Sequence, residues 1–137
     1  MSRRPLDDTT LAAALSLLEE RYRPLTVLLF GSHSSGLEKP DSDVDLGLLL
    51  GRAAPDAFSL ARTRTDLEEV LGKSVDLVVL DTASPILRME VLRRHRMLVQ
   101  KDPERFEQFV VRTLAEYFDL KRVREPIERA LFPERSQ

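Results

Sequence analysis

Phe30-Gly-Ser-His-Ser-Ser-Gly-Leu-Glu-Lys-Pro-Asp-Ser-Asp-Val-Asp-Leu-Gly-Leu-Leu-Leu50 is the stretch from which the rest of the chain is read. On its N-terminal side lies Thr26-Val-Leu-Leu-Phe30, a continuous β-branched and apolar run that predicts a strand covered on both faces. Polar residues with Gly36 and Pro40 predict a loop over 31–42, with a short helical turn after Ser32. A second strand is predicted over 44–50. Asp43 and Asp45 are two residues apart, so at the mouth of that strand their carboxylates project to one face. Two such charges repel unless a proton or cation lies between them. A hard divalent ion with oxygen ligands, Mg²⁺ above all, suits the pair and leaves coordination positions for substrate phosphates. Gly31 allows a close approach of backbone to a ligand, and N–H groups at the start of a helical turn bind phosphate. Ser32 adds a hydroxyl. The predicted site is thus a triphosphate cradle, Gly31 and Ser32, facing a metal-binding pair, Asp43 and Asp45.

Working outward, Leu11, Ala14, Leu15 and Leu18 share a helical face, which predicts a helix over 10–22 capped by Asp8, Thr9 or Thr10 and stopped by Pro24. Pro55 and Asp56 open a helix ending near Leu71, with Gly72 beyond it. Residues 75–80 predict a third strand. Ser84-Pro85 is a cap followed by proline in the first turn of a helix to about Arg94. A short edge strand is predicted over 97–100. Asp102-Pro103 opens another helix, with Phe106, Phe109, Val110, Leu114 and Tyr117 on its inner face, until Pro126 breaks or kinks the chain before a short last helix. The order predicts one α/β (α+β) domain over 1–137, a small mixed sheet with flanking helices and a helical extension over about 102–137.

Asp76 stands in Ser74-Val-Asp-Leu-Val-Val-Leu80, where a charge is costly unless a metal or partner satisfies it. If this strand neighbours the strand of Asp43, Asp76 completes a triad of carboxylates for in-line phosphoryl transfer with two metals. Asp81 is the competitor and is expected to cap the turn before Ser84. Asp41-Ser-Asp43-Val-Asp45 begins like an EF-hand loop, but Leu46 replaces its glycine and Arg52 its terminal glutamate, so that reading fails.

Gly31-Ser32, ten residues, Asp43-x-Asp45 and a later strand aspartate, Asp76, resemble the signature of the polymerase-beta-like nucleotidyltransferase superfamily. The whole chain resembles its smallest members, the minimal nucleotidyltransferases. Ser84-Pro-Ile-Leu-Arg-Met-Glu-Val-Leu92 and Arg112 to Lys121 resemble the antitoxin branch that partners HEPN-domain toxins. That resemblance implies transfer of AMP from ATP to a tyrosine hydroxyl of the toxin, a small helical ribonuclease, within a hetero-oligomer. It implies that Gly31 and Ser32 hold the β- and γ-phosphates, that Asp43 and Asp45 bind both Mg²⁺ ions, and that Asp76 binds the one that activates the hydroxyl. Neutralisation of the partner by occlusion alone and nucleotidyl transfer to a small, aminoglycoside-like acceptor are the competing expectations.

Composition narrows the classes without choosing among them. The 137 residues suit a single core. There is no cysteine, which excludes disulfides, thiolate catalysis and Cys-based zinc sites. His33 and His95 have no ligand partner at zinc spacing. A formal charge of −2 argues against direct nucleic-acid binding. No apolar run reaches membrane-spanning length and the N-terminal residues lack a signal-peptide core, so a cytoplasmic location without membrane contact is expected. Arg88, Arg93, Arg94 and Arg96 form a cationic run read either as a solvated helix face or as a surface for phosphate or a partner. Phe132 and the tail after Pro126 hint at a partner surface.

Overall fold

The computed structural model describes residues 6–31 and 43–133. Its elements are α1 (Asp8–Tyr22), β1 (Thr26–Phe30), β2 (Val44–Leu49), α2 (Ala57–Leu71), β3 (Val75–Val79), α3 (Pro85–Arg93), β4 (His95–Gln100) and α4 (Pro103–Leu131). The four strands form one mixed sheet in the order β3-β2-β1-β4. β1 pairs antiparallel with both β2 and β4, and β2 pairs parallel with β3 across the α2 connection. The expected α/β domain with a small mixed sheet and flanking helices is the one found, as three layers.

The centre of the sheet explains the apolar run over 26–30. All five residues of β1 are buried, because this strand has neighbours on both edges and helices on both faces. One face carries Val27, Leu29, Val44, Leu46 and Leu48 against Ala14 and Leu18 of α1 and Leu67 and Leu71 of α2. The other carries Leu28, Phe30, Leu49 and Leu80 against Val91 of α3 and Phe109 of α4. Alternation along β2 therefore assigns Leu46 and Leu48 to the first face and Asp45, Gly47 and Leu49 to the second.

Local signals account for most boundaries. Asp7 caps α1 rather than Asp8, Thr9 or Thr10, accepting from the Thr10 N–H at 2.8 Å. Asp56 accepts from Ser59 N–H and Ser84 from Leu87 N–H, so the predicted starts of α2 and α3 hold. Gly72 ends α2 in the left-handed region at φ 66°. The edge strand β4 begins at His95, two residues earlier than predicted.

Three expectations are corrected. Asp81 does not cap the turn before Ser84: its two carboxylate oxygens accept from the backbone N–H groups of Leu50 and Gly51, each at 2.8 Å, and tie the end of β3 to the end of β2. Leu114 is 38% exposed rather than on the inner face of α4, where Thr113 is buried instead. Pro126 does not divide the C-terminal segment into two helices. α4 runs 29 residues through it, because proline removes one intrahelical donor while its φ remains helical.

Candidate active site

Gly31 ends β1 with φ +73°, a conformation that L side chains rarely adopt. A second reason for glycine lies across the strand pair. Phe30 is the register partner of Asp45, and a Cβ on Gly31 would run into the Asp45 carboxylate. The chain turns out of the core here, directly over the acidic group that opens β2. Gly31→Ala should therefore displace Asp45 as well as strain the backbone. We expect a loss of about 1–2 kcal/mol in stability, read by urea denaturation, and turnover at this site reduced further than that loss explains.

Asp45 and Asp76 are register partners on the parallel strands β2 and β3. Side chains in register share a face, and adjacent strands lie about 4.8 Å apart, so these two carboxylates are neighbours. Asp43 precedes β2 by one residue and is exposed; Asp45 is half-buried and Asp76 exposed. The structure thus brings Asp45 and Asp76 together at one end of one sheet face, with Gly31 beside Asp45 and Asp43 one residue before the strand. Asp76 is not the buried, costly charge its apolar surroundings in sequence predict, because β3 is an edge strand and its second residue faces solvent. Register with Asp45, not burial, is what places it. Ser32 lies outside the described residues, as do His33, Asp41 and the helical turn expected after Ser32.

Among the described residues no three carboxylate or imidazole groups converge closely enough to hold a metal ion by themselves. A Mg²⁺ ion does not need such a cage, since it is commonly held by one or two carboxylates with substrate phosphates and water completing its octahedron. The all-oxygen donors Asp45 and Asp76, side by side and open to solvent on the Asp76 side, fit that kind of site.

The cationic run over 88–96 is divided. Arg88 is buried at 6% exposure: its Nε donates to Leu80 O at 2.9 Å, Nη2 to Asp81 O at 2.7 Å, and Nη1 pairs with Glu116 at 3.3 Å. The guanidinium also lies 5.4 Å from the centre of the Phe109 ring. Arg93 lies over Tyr117 and donates to its hydroxyl, while Arg94 and Arg96 are exposed. One helical turn after the Ser84 cap, Arg88 shares the inward face of α3 with Val91, three residues on. That spacing was the signal in the sequence for a structural rather than a surface arginine.

An acidic pair opening β2, a third carboxylate in register on the next strand and a glycine turn against them are the arrangement expected of a nucleotidyltransferase. The chain matches the Polymerase beta nucleotidyltransferase family over residues 14–104 and belongs to it. It is 33% identical over 118 residues, 82% of its own length and 81% of the relative's, to the protein adenylyltransferase MntA of Shewanella oneidensis. Among solved structures it resembles a chain of a toxin–antitoxin complex with AMP-PNP, at 27% identity and TM-score 0.81 over 92% of this chain and 98% of that one. It also resembles a chain of the complex between tri-AMPylated Shewanella oneidensis HEPN toxin and MNT antitoxin, at 25% identity and TM-score 0.76 over 90% and 96%. A minimal nucleotidyltransferase structure is 32% identical with TM-score 0.57; it is covered completely, by 72% of this chain.

Proposed function

We propose that this chain is a protein adenylyltransferase that moves AMP from ATP to a tyrosine hydroxyl of a HEPN-domain toxin and acts as its antitoxin. The observation that carries the reading is the register of Asp45 with Asp76 beside the Gly31 turn. The relative with 33% identity is an adenylyltransferase, and structures of the same fold contain AMP-PNP in one case and an AMPylated HEPN toxin in the other.

The order of the strands supports a direction for the reaction. β1, with the Gly31 cradle, lies inside the sheet, whereas Asp76 stands on the open edge β3. ATP is held by its β- and γ-phosphates at Gly31 and Ser32, and the acceptor hydroxyl approaches over β3. Its oxygen forms a bond to the α-phosphorus as the bond from that phosphorus to the bridging oxygen breaks. Pyrophosphate departs on the β1 side, and the hydroxyl proton passes to the Asp76 carboxylate. Asp43, Asp45 and Asp76 would hold Mg²⁺, which when bound neutralises phosphate charge and favours the developing alkoxide. The acceptor comes from a partner protein, and the site is expected to operate in the cytoplasm. Among the described residues no helix is long and apolar enough to cross a membrane.

The test is to mix the chain with the HEPN toxin of its own genome, ATP and Mg²⁺, and to map the products by mass spectrometry. One or more AMP groups on a toxin tyrosine, absent when Mg²⁺ is chelated, is the expected result. An unmodified toxin, with the nucleotide shown to bind, overturns the protein-transfer reading.

A further inference from the structure

The second half of α4 is built to pack against something. Positions 106, 109, 113, 116, 120, 123 and 127 alternate spacings of three and four, the pattern of a helix seam. In the first half that seam meets the domain: Phe109 and Thr113 are buried, Phe106 packs against the same cluster, and Glu116 reaches Arg88. The seam then continues through Leu120 to Val123, Ile127 and Leu131, which are 65%, 56% and 66% exposed. Every described residue from Lys121 to Pro133 is exposed. The ion pairs Asp119–Arg122, Arg124–Glu128 and Glu125–Arg129 run along the helix rather than to another element. These residues extend for roughly 20 Å at 1.5 Å per residue.

Such an extension is poorly stabilised on its own. A helical segment of this length is marginal in water, and proline inside a helix costs about 3 kcal/mol. Pro126 lies in the middle of it. An apolar stripe along one side of a helix accepts another amphipathic helix, laid along it with its own apolar residues between Val123, Ile127 and Leu131.

The comparisons indicate whose helix. The family match ends at residue 104, where α4 begins, so the helix is an addition to the common catalytic core. The minimal nucleotidyltransferase structure leaves over a quarter of this chain without a counterpart. The chains from toxin–antitoxin complexes instead match 92% and 90% of it. The additional length accompanies the toxin. We infer that the seam formed by Val123, Ile127 and Leu131 is the docking surface for a helix of the HEPN toxin, holding the acceptor protein so that its tyrosine reaches the Asp76 edge. This rests on the adenylyltransferase reading above.

The experiment uses the full chain carrying Val123→Asp with Ile127→Asp, and Val111→Asp on the opposite side of the helix as a control. Each is co-expressed with the HEPN toxin of the same genome and analysed by sedimentation, toxin AMPylation and calorimetric binding of AMP-PNP with Mg²⁺. The double variant is expected to bind AMP-PNP and melt as wild type does. Its affinity for toxin and its AMPylation rate at sub-saturating toxin should both fall at least tenfold, and the control should match wild type. If wild type modifies the toxin and the double variant does so equally well, the docking surface is overturned and the enzyme reading stands. If wild type neither binds nor modifies it, both fall. A wild-type homodimer that the double variant dissolves, with toxin binding intact, assigns the seam to a second copy and overturns the inference.

Discussion

Asp45→Asn is expected to lower AMP transfer by about a thousandfold or more while leaving the fold intact. The substitution keeps the shape of a half-buried side chain packed under Gly31 and removes the charge that would hold a cation between β2 and β3. Loss of the transition-state stabilisation a metal supplies is worth several kcal/mol, and about 4 kcal/mol corresponds to a thousandfold. Stability should respond differently. Asp76 is exposed and stands in register with another carboxylate, and like charges directly opposite destabilise a sheet by some tenths of a kcal/mol. Asp76→Asn should therefore raise the melting temperature slightly while activity collapses. If these aspartates served only local turn chemistry, both variants would lose stability and keep turnover. Near-wild-type AMP transfer by Asp45→Asn is the result that sinks the site. The same variant separates chemistry from occlusion: a toxin neutralised as well by Asp45→Asn as by wild type is being blocked, not modified.

Arg88→Ala should cost roughly 3 kcal/mol of folding stability, about a hundredfold in the unfolding equilibrium. The guanidinium satisfies the carbonyls of Leu80 and Asp81 where β3 ends, and its body fills space against Phe109. Alanine leaves both carbonyls without this donor and a cavity in the second core. Glu116→Ala should cost under about 1 kcal/mol, because that carboxylate is 44% exposed and its pairing with Arg88 is screened. The contrast between the two variants in urea denaturation is the check. Equal losses would mean that the ion pair, rather than the backbone contacts of the guanidinium, holds α3 to the sheet.

Much of the site was legible because its logic is local. Gly31, Asp43 and Asp45 sit within one strand-loop-strand unit, and the two-residue period of a strand alone puts both aspartates on one face. Asp76 was legible only conditionally. Its residue type stood out in an apolar run, but whether β3 lies beside β2 is a question of sheet order, which no spacing answers. The reason offered for it, a buried charge seeking a cation, was mistaken because an edge strand leaves its side chains partly in water. Arg88 and Asp81 were misread for the related reason that surface charge and buried clamp look alike until the contacts are seen. Proline is a strong local breaker, which is why Pro126 predicts a break or kink; the helix formers on either side carry α4 through it.

The sequence by itself determined the element order, most of the helix caps, the mixed α/β class and the acidic pair facing a glycine turn. These depend on interactions between residues a few positions apart, whose geometry the backbone sets. Tertiary structure decided what depends on distant segments meeting: Asp76 in register with Asp45, Gly31 against the Asp45 carboxylate, Arg88 closing the end of β3, and a helix whose apolar seam continues beyond its own domain. Non-local contacts follow from which faces must be buried together, and here the sheet order β3-β2-β1-β4 made that choice.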